Sequence, residues 1–264
     1  MATLPIFIID AFADRPLTGN PAAVVPLDAW LPDALMQAIA GELNLSETVF
    51  FVPEGGGFAI RWFTPIREVD MIGHATLAAG ALVLERMWTE RAEVGFTNKG
   101  ATMTVARDGA AYRLEMPALP PQPIEPPDGL VQGLGRAPAQ ILAAKHYLCV
   151  YERPDDIATL GPDFARLKTL PLPAVIVTAP GDLGSGTADF VSRFFAPANG
   201  VDEDPVSGVA HLCLVPYWSK RLGKSRLVGH QISQRGGFIR CEDLGPRVRL
   251  GGTVAVFLEG RISV

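Results

Sequence analysis

Three side chains in this sequence have the type and the setting to move a proton: Glu47, His74 and Asp204. Glu47 stands in Asn44-Leu45-Ser46-Glu47-Thr48, immediately before the apolar run Val49-Phe50-Phe51-Val52. A carboxylate entering such a strand is partly desolvated, which suits it to proton transfer near neutral pH. The plainer alternative is an ordinary exposed glutamate at the start of a strand. His74 follows Gly73 at the head of an apolar helix. It is either a proton carrier and hydrogen-bond donor or a satisfied polar group at a helix start. Asp204, in Asp202-Glu203-Asp204-Pro205-Val206-Ser207-Gly208, precedes a second apolar helix. It can accept from a substrate amine or hydroxyl, or serve only as the negative charge that a helix N-terminus favours. His211, one turn inside that helix, reads as structural.

The two helix starts matter in themselves. A helix N-terminus has unpaired N–H groups and a partial positive charge, so it binds an anion without a basic side chain. Gly73-His74-Ala75-Thr76 and Ser207-Gly208-Val209, facing one cleft, would hold a small carboxylate. Glycine lets backbone approach closely at both positions; equally, it lets a helix pack tightly and does nothing more.

The elements that carry these residues form a repeat. Arg61-Trp62-Phe63-Thr64-Pro65 leads to Gly73 and the apolar run 75–84, and Arg193-Phe194-Phe195-Ala196-Pro197 leads to Gly208 and the run 209–218. Upstream, Leu31-Pro32-Asp33 opens an amphipathic helix through Leu43, and a strand over 48–52 stops at Pro53. The matching stretch has Gly161-Pro162-Asp163, a helical segment, and a strand over 174–178. Downstream, 100–105 and 112–116 around Asp108-Gly109 are echoed by 237–241 and 248–250 around 243–246. Self-similarity at this period means one unit used twice. The helix from Gly73 has no polar face, so it must be enclosed on all sides, and a curled sheet is the available enclosure. Pro216 lies within the second helix, where its missing N–H breaks a bond to Leu212 and predicts a kink.

Six prolines crowd 117–127 and mark an extended linker. The expected domains are therefore 1–116 and 117–252, with the strand-like 253–264 returning to the first. The length of 264 residues suits two modest domains. With 48% hydrophobic and only 19% charged residues, the chain has ample core and no signature of disorder. A net charge of −5 gives no footprint for nucleic acid or anionic lipid. No apolar stretch approaches a membrane span, the first residues do not read as a signal peptide, and three scattered cysteines fit a reducing compartment. The expectation is a cytoplasmic protein. No phosphate loop, dinucleotide fingerprint, nucleophile elbow or metal-ligand spacing is present, and the glycine cluster 181–186 reads as a loop.

Asp10-Ala11-Phe12, Gly19-Asn20-Pro21-Ala22-Ala23-Val24, Asn44-Leu45-Ser46-Glu47-Thr48 and Arg61-Trp62-Phe63-Thr64-Pro65 occur in that order. They are followed by Gly73-His74-Ala75-Thr76, Glu203-Asp204-Pro205-Val206-Ser207-Gly208 and Gln231-Ile232-Ser233-Gln234-Arg235-Gly236-Gly237. Together they resemble the phenazine-biosynthesis PhzF-like isomerase/epimerase family across nearly the whole chain. The resemblance implies a diaminopimelate-epimerase-like α/β (α+β) fold: two pseudo-symmetric barrel-like domains, each a mainly antiparallel curled sheet around a central helix. It also implies a homodimer, no cofactor and no metal, and proton shuttling on a small carboxylic acid in the interdomain cleft. Glu47 then takes the acid/base role with His74 and Asp204 as partners, and Asn20, Ser46, Gly73, Ser207, Gly208 and Val209 fall at substrate-binding positions.

Two departures from the family pattern bear on mechanism. Val209 stands where many members carry serine, so a contact there is through backbone alone. Ile72 precedes Gly73 where the true epimerases carry cysteine, and Cys213 lies a turn or more inside the second helix. A two-thiol epimerisation is thereby disfavoured, and a one-carboxylate isomerisation fits better. The alternative function is a catalytically silent member that binds a small carboxylate or a protein partner.

Overall fold

A computed structural model describes residues 3–70, 72–181 and 188–264, so the glycine-rich loop expected over 181–186 falls almost entirely outside the described residues, as do the first two residues of the chain. The chain divides into two compact units, Met1–Glu115 with Gly251–Val264, and Met116–Leu250.

Along the first unit run strands Thr3–Ala11 (β1) and Asn20–Pro26 (β2), helix Asp33–Leu43 (α1), and strands Glu47–Glu54 (β3), Gly57–Phe63 (β4) and Glu68–Val69 (β5). Helix Gly73–Leu82 (α2) and strands Glu93–Asn98 (β6), Ala101–Asp108 (β7) and Ala111–Pro117 (β8) follow. The second unit has strand Gln122–Pro123 (β9), helix Leu130–Leu134 (α3), and strands Gln140–Ala143 (β10) and Tyr147–Val150 (β11). Helices Pro154–Ala158 (α4) and Phe164–Leu167 (α5) precede strands Val175–Pro180 (β12), Phe190–Ala196 (β13) and Val201–Asp204 (β14). Helix Gly208–Leu222 (α6) and strands Arg226–Gln231 (β15), Gly237–Asp243 (β16), Arg247–Gly252 (β17) and Val254–Ser263 (β18) complete the chain.

Sheet register makes the repeat explicit. In the first unit β2 pairs parallel with β3 across α1, β3 antiparallel with β4, and β4 parallel with β6 across α2, while β5 lies antiparallel on β4. In the second, β11 pairs parallel with β12 across α4 and α5, β12 antiparallel with β13, and β13 parallel with β15 across α6, while β14 lies antiparallel on β13. β18 runs antiparallel to β1 over its whole length.

Each curled sheet is covered on both faces, which is why strands such as Val49-Phe50-Phe51-Val52 are apolar without alternation. Phe50 and Val52 join Met36, Ile39 and Ala40 of α1 in one core cluster. Side chains alternate along a strand, so Glu47, Val49 and Phe51 face the other way, toward α2. Helix α2 packs against β1, β2, β3 and β7, and all ten of its residues are buried. In the second unit, Ile157 of α4 and Leu167 of α5 cluster with Val175, Val177 and Phe195 on one face of the sheet. Helix α6 packs against β15 and β16, with Trp218 stacked on Phe190 at 5.8 Å and its indole N–H donating to Thr178 Oγ1.

The repeated arginine has a repeated job. Arg61 grips Glu68 with two N–H···O bonds of 2.8 and 2.7 Å, and Arg193 grips Glu203 with two of 2.7 and 2.9 Å. In both hairpins the glutamate sits opposite the phenylalanine two residues beyond the arginine, Phe63 against Glu68 and Phe195 against Glu203. A diagonal cross-strand fork of this kind pins hairpin register. Arg193 does more than Arg61, because its Nη1 also donates to the carbonyls of Ile157 and Leu160, each at 3.0 Å.

Several boundaries differ from those expected. Helix α1 begins at Asp33 because Pro32 is extended (φ −53°, ψ 139°) and acts as the N-cap, and because a residue before proline, here Leu31, avoids helical backbone. Strand β3 continues through Pro53 to Glu54, where Pro53 sits opposite Phe58 in the last pairs of the hairpin. Helix α2 ends in a π-helical turn, Val83–Met87. Helix α6 runs on to Leu222 past Pro216, and the orphaned carbonyl of Leu212 accepts the backbone N–H of Leu119, at 2.9 Å, from the proline-rich segment. Among the described residues no helix is long and apolar enough to cross a membrane.

Candidate active site

In the first unit the candidate side chains Glu47, His74 and Asn20 meet at the head of α2. His74 is the second residue of the helix and 2% exposed, and its Nε2 lies 3.1 Å from Oε2 of Glu47. Glu47 is only 9% exposed, so it is not the solvated strand-start glutamate of the alternative reading. Both follow from the fold: Glu47 is the first residue of β3 on the α2-facing parity, and His74 is on the first turn of α2. Asn20, fully buried at the start of β2, places its Nδ2 3.2 Å from His74 Nδ1. With that amide nitrogen donating, Nδ1 accepts and Nε2 carries the proton that faces Glu47. The N-cap Ile72 supplies no side-chain acceptor to the helix start. Ser46 lies half-buried in the bend before Glu47 and Gly73 is buried as the first residue of α2.

Asp10 is a member of this assembly whose role is invisible in the sequence. It is 1% exposed, and its Oδ2 accepts the N–H of Leu17 at 2.7 Å. Leu17 has a left-handed backbone (φ 73°), so the turn that delivers Asn20 is held by a buried carboxylate.

In the second unit Asp204 closes β14 and is 8% exposed. Ser207 caps α6, its Oγ accepting the N–H of Ala210 at 3.3 Å; Gly208 is buried and Val209 half-buried in the first turn. His211 is fully buried, with Nδ1 2.8 Å from the Ser207 carbonyl. Burial lowers its pKa to about 4, against the opposing pull of that hydrogen bond. It is therefore neutral near pH 7, with the proton on Nδ1 and committed to the helix start.

All three cysteines lie in this second unit and are buried. Burial pushes the thiols of Cys149 and Cys213 up to about 12 and raises Cys241 likewise. None is a thiolate near neutral pH, so none is placed to act as a carbon acid/base.

A carboxylate and an imidazole lie 3.1 Å apart in a nearly dry setting. Such a couple can take a proton from a carbon acid and return it, while amides at a helix start stabilise negative charge on a bound carboxylate.

Known proteins match this chain in sequence and in fold over nearly its whole length. Residues 9–260 match the family model described as phenazine biosynthesis-like protein. An uncharacterized isomerase of Pseudomonas aeruginosa is 47% identical over 261 residues, covering 99% of each chain. A crystal structure of a phenazine biosynthesis PhzF-family protein from Enterococcus faecalis superposes with a TM-score of 0.91 at 42% identity, covering 100% of both chains. More distantly, a hydroxyproline epimerase from Agrobacterium vitis, solved with bound trans-4-hydroxy-L-proline, shares the fold at TM-score 0.57 and 10% identity, covering 99% of this chain and 91% of that one.

Proposed function

Because this chain belongs to the phenazine biosynthesis-like family, we propose that it is a cofactor-independent isomerase that moves a proton on a small cyclic or amino carboxylic acid, with Glu47 as the acid/base. The observation that carries the reading is the buried contact of Glu47 with His74, 3.1 Å, at a helix start without a side-chain cap. Glu47 removes a proton from carbon; the C–H pair passes into the adjoining π system or carboxyl group; the proton is returned to a carbon of the same molecule. Glu47 is neutral between the two steps; His74, oriented by Asn20, holds its carboxylate in place before the first and after the second. The substrate's carboxylate is assigned to backbone amides at Gly73 and Gly208, and its amine or hydroxyl to Asp204. At Val209 no hydroxyl is available, so recognition there is by backbone and shape. The same reading carries a homodimer in the cytoplasm, and sedimentation of the purified protein checks the first of these.

The test is incubation in deuterated water with a panel of cyclic, unsaturated and amino carboxylic acids. Label should enter carbon with the wild-type protein, and Glu47→Gln should slow it about 10²–10⁴-fold with little change in melting temperature. Binding without label would favour the silent, carboxylate-binding alternative, for which the aliphatic Val209 speaks. A large loss of stability in Glu47→Gln would make the glutamate structural.

A further inference from the structure

The stretch Gln231-Ile232-Ser233-Gln234-Arg235-Gly236-Gly237 has no part in the chemistry just described, yet its side chains close on the segment that presents Asp204 and the start of α6. Gln231, at the end of β15, is fully buried. Its Nε2 donates to the Asp204 carbonyl at 2.6 Å and its Oε1 accepts the Ser207 N–H at 2.9 Å. Two residues on, Ser233 Oγ donates to the Pro205 carbonyl at 2.6 Å and accepts the Gly236 N–H at 3.1 Å. Gln231 is itself fixed in the sheet, opposite Ser192 of β13 and Gly237 of β16.

The geometry points to Gln231 as a positioning residue that sets the backbone between Asp204 and Ser207. This role rests on the proposed reading of Asp204 and the α6 start as substrate contacts. Asp204 ends β14 opposite Phe194, and the three residues after it, which include a proline, lead to the helix without a ladder of their own. One side chain must give a hydrogen bond at one end of the segment and take one at the other. A primary amide does both in a fixed plane. A carboxylate of the same shape can take the Ser207 N–H but turns a lone pair on the Asp204 carbonyl. A thioether of the same length offers neither partner and leaves both backbone groups buried and unmade.

The test uses the full chain and three substitutions: Gln231→Met, Gln231→Glu and Ser233→Ala, the last removing the hydroxyl's bonds to Pro205 and Gly236 while leaving Gln231 in place. Amide hydrogen exchange is read by mass spectrometry on peptides spanning 203–211 and, as a reference in the same unit, on β13. Gln231→Met and Gln231→Glu should speed exchange over 203–211 by about tenfold or more and change β13 by less than about twofold. Ser233→Ala should show the same pattern at smaller amplitude and supports a decision even where a Gln231 variant folds poorly. Unchanged exchange at 203–211, or acceleration of both peptides by one common factor, overturns the role. Labelling in deuterated water is then run with the same variants and the carboxylic-acid panel. If wild type labels an acid and Gln231→Met labels it at the same saturated rate, positioning is overturned. If wild type labels none while exchange speeds up only over 203–211, the proposed activity fails and the clamp stands.

Discussion

Removing Arg193 should cost the protein several times what removing Arg61 costs, although the two arginines occupy equivalent places in the repeat. In Arg193→Ala the fork to Glu203 is lost, at a site where the arginine is 13% and the glutamate 22% exposed. The Leu160 carbonyl also loses its donor, while the Ile157 carbonyl keeps the Leu160 N–H at 3.3 Å. Packing of the guanidinium on Phe195, 4.9 Å from the ring centroid, goes as well. One orphaned carbonyl and one half-buried, hydrogen-bonded charge pair together amount to about 3 kcal/mol. In Arg61→Ala the fork to Glu68 is more exposed, the bond to Asp33 reaches a carboxylate that is 78% exposed, and no carbonyl is stranded. Screening by solvent leaves that loss near 1 kcal/mol. Arg193→Lys keeps the charge without the fork and should recover about one third. The assay is urea unfolding followed by tryptophan fluorescence, since Trp218 reports on the second unit and Trp30, Trp62 and Trp88 on the first. Separate transitions for the two units are acceptable here, and each variant should move only its own. A loss below 1 kcal/mol for Arg193→Ala, or one no larger than for Arg61→Ala, would refute the claim that carbonyl ligation separates the two copies.

Gly80→Ala should destabilise by about 1 kcal/mol despite the better helix propensity of alanine, because overpacking outweighs it. The added Cβ would meet Val105 Cβ at 2.4 Å and its two methyls at 2.5 and 2.7 Å; a stabilised variant in urea melts would show that α2 and β7 are not so close. Acid should unfold the second unit early through His146 and His211, each held by burial at about 4 against an ordinary 6.5. Both folded values lie below the unfolded one, so the unfolded chain binds protons first: this stability is complete above pH 6.5 and drains as pH falls toward 4. The full range is worth at most about 3 kcal/mol per histidine. His146→Phe should flatten the slope of unfolding free energy between pH 6.5 and 4 by about 1.4 kcal/mol per unit; an unchanged slope would mean His146 titrates normally.

Local chemistry made much of the fold legible. The enclosed helix at Gly73 and the burial expected of a glutamate entering Val49-Phe50-Phe51-Val52 follow from patterns within a dozen residues, and the duplicated unit from matching such patterns at Arg61 and Arg193. What stayed hidden depends on partners far along the chain. The arginines were visible as a repeat, but their glutamates lie seven residues on in one copy and ten in the other. The second hairpin is lengthened by a register shift after Phe195 and a 3₁₀ turn over Pro197–Asn199, so spacing alone could not match them. Gln231 stood in a recognisable motif whose partners are 24 and 27 residues earlier. The bond that Pro216 cannot make was predictable from the residue type; that Leu119 supplies the replacement was not.

That replacement changes what the proline-rich stretch is. An ordinary helix has no spare acceptor in its middle, whereas α6 offers one vacant carbonyl at a single height along its axis. The chain entering the second unit reads that height through Leu119, and the next anchor, the Ala118 N–H on the Pro246 carbonyl at 3.0 Å, is one residue away. A segment with the composition of a passive tether is therefore indexed like a key to its slot, and adding or deleting a residue there is a change of register rather than of reach.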